Sequence, residues 1–167
     1  MCGIIAYIGN KQALPIIIKG LKQLEYRGYD SAGVAVMSDN QIIIRKKKGK
    51  VSDLEKLILT NGFDTESTMG FGHTRWATHG EPNDKNAHPI FDTDNEIVVI
   101  HNGIIENNKT LKIRLEREGY RFTTETDTEC LVHLIRSYYK KVQNLETAVR
   151  LAYCKRVWCN ILPRIFK

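Results

Sequence analysis

Apolar residues along the chain follow first a strand pattern and then a helical one. The run from Ile4 to Ile8 is apolar throughout, which predicts a buried β-strand. Apolar residues then recur three and four positions apart, as on one buried helix face, at Leu14, Ile17, Ile18, Leu21 and Leu24. The chain therefore begins with a strand that is followed directly by an amphipathic helix.

The next patterns predict a hairpin and a second helix. Apolar runs at 33–37 and 41–44 flank the turn-forming residues 38–40, which is typical of a β-hairpin. The sequence from Ser52 to Glu55 matches a capping box and predicts that a helix begins there. Residues 69–76 are again strand-like.

The second half of the chain is predicted to be mostly helical. A polar loop at 77–92 leads to an apolar strand at 97–100, and loops of this length in compact domains are usually functional or disordered. Helices are then predicted over 107–118, from a second capping box at Thr126 to Glu129, and from about Asn144.

Composition restricts the class of protein. The chain has 167 residues, enough for one domain, with 42% hydrophobic and 26% charged residues, which is ordinary for a soluble protein. It contains neither a bilayer-length apolar run nor a signal peptide, so we expect a cytoplasmic protein with no membrane partner. Its four cysteines lack paired CxxC spacing, and we expect no metal and no cofactor.

The net charge of +6 owes much to one basic run, residues 45–50. Such a run is compatible with a nucleic-acid patch or with a solvated strand end and turn. Because no aromatic residues interleave with the charges, we favour the strand end and expect no nucleic-acid partner.

Cys2 is the first candidate for chemistry. If Met1 is removed, Cys2 carries both a thiol, whose ordinary pKa is about 8.5, and an α-amine, whose ordinary pKa is about 7.7–8.0. Near neutral pH this amine can take the thiol proton and later return it to a leaving group. The alternative is that Cys2 is incidental to the first core strand.

Asn102-Gly103 has two interpretations. This dipeptide is the strongest short-range signal for a type I′ hairpin turn. The side-chain amide of Asn102 and the backbone N–H of Gly103 could equally form an oxyanion hole.

Arg75 and Asp127 are candidates for binding a charged substrate. Arg75 could bind a carboxylate in a bidentate manner, or lie on the surface over Trp76. Asp127 could bind an ammonium group, or simply stabilise a helix start. Together they could hold both ends of a zwitterionic amino acid. His79 and His88 lack companion ligands at metal spacing, so we interpret them as loop histidines.

Six motifs resemble those of one family. In chain order they are CGI at 2–4, LEYRGYDSAG at 24–33, HTRWATHGEP at 73–82, NAHP at 86–89, HNGIIEN at 101–107 and ETDTE at 125–129. Together they resemble the N-terminal glutaminase domain of the glutamine–fructose-6-phosphate aminotransferases, which are class II glutamine amidotransferases. The resemblance implies an α+β N-terminal-nucleophile hydrolase fold, a four-layer α-β-β-α sandwich.

The resemblance implies a role for each matching residue. Cys2 would be the nucleophile and, through its amine, the acid and base, while Asn102 and Gly103 would form the oxyanion hole. Arg75 would bind the α-carboxylate of glutamine and Asp127 its α-ammonium group.

The remaining implied roles concern the surroundings of the nucleophile. Trp76, Thr78 and His79 would belong to a loop that covers glutamine, and Arg27 would brace the nucleophile. The implied reaction is hydrolysis of L-glutamine to glutamate and ammonia for amino sugar synthesis.

The sequence departs from the family after residue 150. We therefore expect residues 1–150 to be a partial glutaminase domain, and 151–167 to be a divergent tail of a truncated or frame-shifted product. The sandwich would be incomplete at its C-terminus. Binding of fructose 6-phosphate is expected only through the missing sugar-isomerase domains, and homo-oligomers only for the full-length family protein.

Two alternatives stay open. One is an inactive fragment that only associates with itself or with other subunits. The other is the glutaminase domain of another class II enzyme such as amidophosphoribosyltransferase, whose arginine-loop motif typically differs.

Overall fold

The computed structural model describes residues 2–39, 41–60, 66–77 and 80–155, which form helices together with a four-stranded and a two-stranded sheet. In chain order the elements are β1 (Gly3–Ile8), α1 (Ala13–Leu24), β2 (Ser31–Ser38), β3 (Gln41–Lys48), α2 (Val51–Thr60), β4 (Met69–Arg75), β5 (Ile90–Phe91), β6 (Val98–Val99), α3 (Asn108–Arg117), α4 (Thr128–Val142) and α5 (Leu145–Lys155). A short 3₁₀ turn, Glu25–Arg27, follows α1. None of the helices in the described residues has the length and hydrophobicity that a membrane-spanning helix requires.

The four-stranded sheet has the order β1-β4-β2-β3, and every pairing in it is antiparallel. Gly3 of β1 pairs with Thr74 of β4, while Ser31 of β2 pairs with Arg75. This register brings the residue before β1 next to the end of β4. The predicted hairpin between β2 and β3 is confirmed.

Helices α1 and α2 cover one face of this sheet. The helical face predicted from the sequence is confirmed, and four of its five residues are buried. This first core cluster contains Ala13, Leu14, Ile17, Ile18, Leu21, Ala32, Val34, Val36, Val51, Leu54 and Ile58.

Strand β1 was predicted to be buried, and this part of the prediction is wrong. Its side chains alternate, so that Ile5 packs against the first core cluster while Ile4 and Ile8 are 39% and 78% exposed. The physical reason is that β1 is an edge strand covered on only one face by the described elements.

The second core cluster is formed by α3, α4 and α5 together with β5 and β6. The three predicted helices are all present, and α4 packs at their centre. The cluster contains Ile90, Ile97, Ile105, Leu111, Leu115, Tyr120, Cys130, Leu131, Val132, Leu134, Ile135, Ala148 and Ala152. Of the predicted divergent tail, residues 151–155 belong to α5, and 156–167 lie outside the described residues.

The first predicted capping box is displaced. Helix α2 begins at Val51, one residue before the predicted cap Ser52. The Asp53 carboxylate accepts a hydrogen bond from the Lys50 backbone N–H at 3.0 Å, whereas Glu55 pairs with a lysine of α1. The first turn is therefore capped by Asp53, and not by Ser52 and Glu55 as the capping box predicts.

The second predicted capping box is wrong. Helix α4 begins at Thr128, and the Glu129 carboxylate does not reach back to Thr126. It accepts hydrogen bonds from the backbone N–H groups of Thr123 and Thr124 at 2.7 and 2.6 Å. Glu129 thus holds the loop before the helix and not the helix start.

The basic run lies mainly along β3, as favoured from the sequence. The Lys46 ammonium donates to the Lys85 carbonyl at 2.8 Å, and Lys47 pairs with Asp84 at 3.4 Å. Two lysines of the basic run therefore connect the polar loop at 77–92 to the four-stranded sheet.

Candidate active site

Cys2 is held against the end of β4 by backbone groups. The Gly3 N–H donates to the Thr74 hydroxyl at 3.1 Å, and the Trp76 N–H donates to the Cys2 sulfur at 3.2 Å. The same sulfur lies 3.6 Å from the Trp76 carbonyl oxygen. These contacts fix the position of the sulfur beside the end of β4.

A cleft of about 570 Å³ opens beside this sulfur. Its volume is suitable for a small molecule such as an amino acid. Seven of the nine predicted site residues line it, namely Cys2, Arg27, Arg75, Trp76, Asn102, Gly103 and Asp127. The other two, Thr78 and His79, lie outside the described residues.

Asn102 lies on the cleft wall opposite a histidine and the nucleophile's own backbone. Its Oδ1 is 2.8 Å from His73 Nε2, and its Nδ2 donates to the Cys2 carbonyl at 3.2 Å. No strand follows Gly103 before α3 begins, so the hairpin alternative is wrong. Gly103 has φ +146°, a backbone conformation that favours glycine.

Arg75 is not a surface residue, because only 4% of it is exposed. Its guanidinium donates to the carbonyls of Gly80 and Glu81 over 3.3 and 3.4 Å, which are long for hydrogen bonds. Burial lowers the pKa of Arg75, and nearby negative groups including Cys2 and Asp127 partly oppose that shift. The guanidinium is thus a buried cation on the wall of the cleft.

Asp127 occupies the N-cap position of α4, but its side chain makes no hydrogen bond to its own helix. Its carboxylate accepts instead from the Ile105 N–H at 2.7 Å. A residue that only stabilises a helix start would occupy this position, but it would not explain the hydrogen bond between Asp127 and the Ile105 N–H. The cleft contains an anion in Asp127 and a cation in Arg75.

Trp76 and Arg27 lie at the outer part of the cleft. Trp76 is 46% exposed, and its ring meets Tyr29 edge-on at 5.9 Å. The Arg27 Nε donates to the Tyr26 hydroxyl at 3.1 Å. The bracing role of Arg27 stays a prediction.

Three histidines that the sequence did not assign to the site, His73, His88 and His101, also line the cleft. The rings of His73 and His88 stack with centroids 4.5 Å apart, and His88 Nε2 lies 2.8 Å from the Thr128 hydroxyl. Burial lowers the pKa of His73 to about 4 and that of His88 well below its usual value. Both rings are therefore neutral at pH 7.

A glycine of β2 allows the loop with His88 to lie directly on the sheet. A Cβ on Gly33 would stand 2.1 Å from the His88 carbonyl oxygen, closer than any real contact. Only a residue without a side chain fits there. Among the described residues, no group of three or more His, Cys, Asp or Glu side chains is arranged to hold a metal ion.

Comparisons with known proteins identify the family of this chain. A sequence profile described as glutamine amidotransferase domain matches residues 59–150. A glutamine–fructose-6-phosphate aminotransferase of Bacteroides thetaiotaomicron is 56% identical over 156 residues, which is 91% of this chain and 25% of that protein. The enzyme of the same name from Aquifex aeolicus is 54% identical over 140 residues, 84% of this chain and 23% of that protein. The chain spans about a quarter of the length of these curated relatives.

Solved structures agree on the fold. A glutamine phosphoribosylpyrophosphate amidotransferase from B. subtilis, complexed with ADP and GMP, superimposes with a TM-score of 0.73 and 27% identity over 92% of this chain and 32% of that one. A structure described as the allosteric regulatory enzyme of purine biosynthesis superimposes with a TM-score of 0.75 and 28% identity, again over 92% of this chain and 32% of that one. Because the family profile covers more than half of the chain and the fold agrees, this chain belongs to the glutamine amidotransferases with the N-terminal-nucleophile hydrolase fold.

Proposed function

We propose that this chain hydrolyses glutamine to glutamate and ammonia, as the glutaminase part of a glutamine–fructose-6-phosphate aminotransferase. The observation that carries the proposal is the cleft in which the Cys2 sulfur, the Asn102 amide, Arg75 and Asp127 meet. Transfer of ammonia to fructose 6-phosphate is assigned to the part of the relatives that this chain does not span.

Acylation begins at Cys2 after Met1 has been removed. The α-amine takes the thiol proton, and the thiolate attacks the carbon of the glutamine side-chain amide, so that a C–S bond forms. Asn102 and Gly103 donate hydrogen bonds to the resulting oxyanion. The amine then gives its proton to the leaving nitrogen, the C–N bond breaks, and ammonia leaves behind a thioester.

Deacylation uses the same groups in reverse roles. Water attacks the thioester carbon while the Cys2 amine takes a proton from it. The C–S bond then breaks, the proton returns to sulfur, and glutamate is released. No cofactor enters either half of the reaction.

Two charges hold glutamine while this happens. The buried Arg75 guanidinium binds the α-carboxylate, and the Asp127 carboxylate binds the α-ammonium group. Trp76, Thr78 and His79 cover the bound substrate, and Arg27 braces the nucleophile. Holding both charged groups of glutamine places its side-chain amide at the Cys2 sulfur. Such positioning can lower an activation barrier by about 7–11 kcal/mol.

Assignment to this enzyme rests on the curated relatives, which are 47–56% identical, whereas the phosphoribosylpyrophosphate amidotransferase structure is 27% identical. We also propose a cytoplasmic location and, for a full-length protein, a homo-oligomer.

The test is glutamine turnover by a chain whose intact mass demonstrates removal of Met1. We expect the wild-type chain to release glutamate and ammonia. Cys2→Ser should lose most of this glutaminase activity, because an alcohol is far harder to deprotonate. The control Cys154→Ser, which alters a cysteine of α5, should keep the wild-type activity. A folded chain with Cys2 as its N-terminus and no glutaminase activity would contradict the proposal.

A further inference from the structure

We infer that His73 is a positioning residue that fixes the orientation of the Asn102 side-chain amide, so that N–H groups and not the carbonyl oxygen face the substrate. The inference rests on the proposed glutaminase function and assigns His73 a part in it.

The geometry restricts Asn102 from two sides. Asn102 Nδ2 donates to the Cys2 carbonyl at 3.2 Å, and Asn102 Oδ1 lies 2.8 Å from His73 Nε2. If the amide were turned by 180°, Oδ1 would face the Cys2 carbonyl oxygen, and two acceptors would oppose each other. The observed orientation therefore requires that His73 presents an N–H at Nε2.

The environment of His73 enforces that tautomer. The residue is fully buried, and its Nδ1 has no hydrogen-bond partner among the described residues. A proton on Nδ1 would be an unsatisfied buried donor and would leave Nε2 as an acceptor facing the acceptor Asn102 Oδ1. Burial also lowers the pKa of His73 to about 4, which keeps the ring uncharged at neutral pH. The neutral ring with hydrogen on Nε2 is the form that fits.

The ring is in turn held in place by its neighbour. His88 stacks on His73 at 4.5 Å and is itself fixed by the Thr128 hydroxyl. Thr128 opens α4 directly after Asp127. A continuous set of contacts thus runs from the Asn102 amide through the two histidine rings to Thr128, the residue that follows Asp127.

The catalytic consequence follows from the polarity of an amide. With His73 as donor, an Asn102 N–H faces the developing oxyanion and stabilises it. Without that donor, only the Cys2 carbonyl among the described residues holds the amide in this orientation, so turned conformers, whose oxygen repels the oxyanion, become more populated. Loss of an oxyanion-hole donor costs about 10²- to 10³-fold in kcat, which sets the upper limit for an indirect effect.

The decisive experiment is a double-mutant cycle with glutamine as substrate. We expect His73→Phe, which keeps a stacking ring, to lower kcat about 10- to 100-fold with little change in KM. His73→Gln restores a side-chain N–H and should recover much of the loss. In the Asn102→Ala background, His73→Phe should have no further effect on kcat, because its action passes through the missing amide. Additive losses, or an unchanged kcat in His73→Phe, would overturn the inference.

A matched control separates positioning from general damage. His133 is another buried histidine, outside the cleft, that contacts the Arg121 carbonyl and packs against Phe122. His133→Phe should change the melting temperature without the kcat loss expected of His73→Phe. Equal kcat losses in both variants would assign the effect to packing and overturn the inference.

A readout without turnover distinguishes this inference from the proposed function. Nitrogen-15 NMR of the imidazoles should show His73 with hydrogen on Nε2, and His73→Phe should shift the Asn102 side-chain amide signals. Hydrogen on Nδ1, or unchanged amide signals, overturns the inference even in an active enzyme. A wild-type chain without glutaminase activity instead removes the proposed function, and this catalytic role with it.

Discussion

The charge of Asp127 is expected to discriminate glutamine from molecules that lack an α-ammonium group. Asp127→Asn removes this charge but retains a side-chain oxygen that can accept the Ile105 N–H, now 2.7 Å from the carboxylate. The local backbone should therefore be preserved, and the change isolates electrostatics. We expect a marked rise in KM for glutamine.

The magnitude follows from the strength of a hydrogen bond to a charged group, which contributes about 1.5–3 kcal/mol. At about 1.4 kcal/mol per factor of ten, kcat/KM for glutamine should fall about 10- to 150-fold. Asp127 is half-buried, so partial screening by solvent places the expected loss in the lower part of that range.

The assay compares glutamine with its des-amino analogue, glutaramate. The wild-type chain should prefer glutamine by roughly the factor that Asp127→Asn loses, and the variant should show little preference between the two. Arg75→Lys is the matched control: it should raise KM for both substrates, because lysine lacks the planar fork, and leave the preference intact. An Asp127→Asn variant that discriminates as well as the wild type would refute the assignment.

Three further outcomes are expected. Cys2→Ala, or a form that retains Met1, should release no ammonia from glutamine, since either lacks the thiol or the free α-amine, and turnover by the Met1 form would contradict the mechanism. Gly33→Ala should lower the free energy of unfolding by about 1–3 kcal/mol, because its Cβ would lie 2.1 Å from the His88 carbonyl oxygen. The melting temperature followed by circular dichroism should fall by about 2–4 °C per kcal/mol, and an unchanged melting temperature would contradict this packing. Stability in urea should decline as pH falls from about 6.5 toward about 4, by up to about 1.4 kcal/mol per pH unit and proton, because the unfolded chain takes up protons that the buried His73 and His88 exclude. His73→Phe should make this pH dependence less steep and leave the contribution of His88, and a flat wild-type curve would contradict the expectation.

Much of the fold could be predicted because periodicity reports burial directly. The face of α1 and the hairpin of β2 and β3 follow from local spacing alone. The capping boxes failed since Ser, Thr, Asp and Glu side chains have several competing backbone partners, and Glu129 found its partners in the preceding loop. The exposure of Ile8 depends on which strand lies at the sheet edge, and that is not a local property.

In the candidate site, too, the features that depend on local sequence could be predicted, and those that depend on distant contacts could not. Arg75 could be recognised from its motif, whereas its burial depends on the loop that supplies the Gly80 and Glu81 carbonyls. His73 lies two residues before Arg75 on β4, and the two-residue period of a strand could have placed both on one face. The contact of His88 with His73 joins a loop to a strand, and no sequence spacing indicates it.

The proposed catalytic and substrate-binding groups are divided between the two core clusters. Cys2 and Arg75 adjoin strands of the sheet packed by the first cluster, whereas Asn102 and Asp127 belong to segments packed by the second. We therefore expect glutamine hydrolysis to require contact between the two separately packed units, and not only that each unit is folded. Sub-global opening requires less free energy than complete unfolding. In mild denaturant, loosening of the helical unit should consequently abolish turnover while the amide protons of the four-stranded sheet remain protected from exchange.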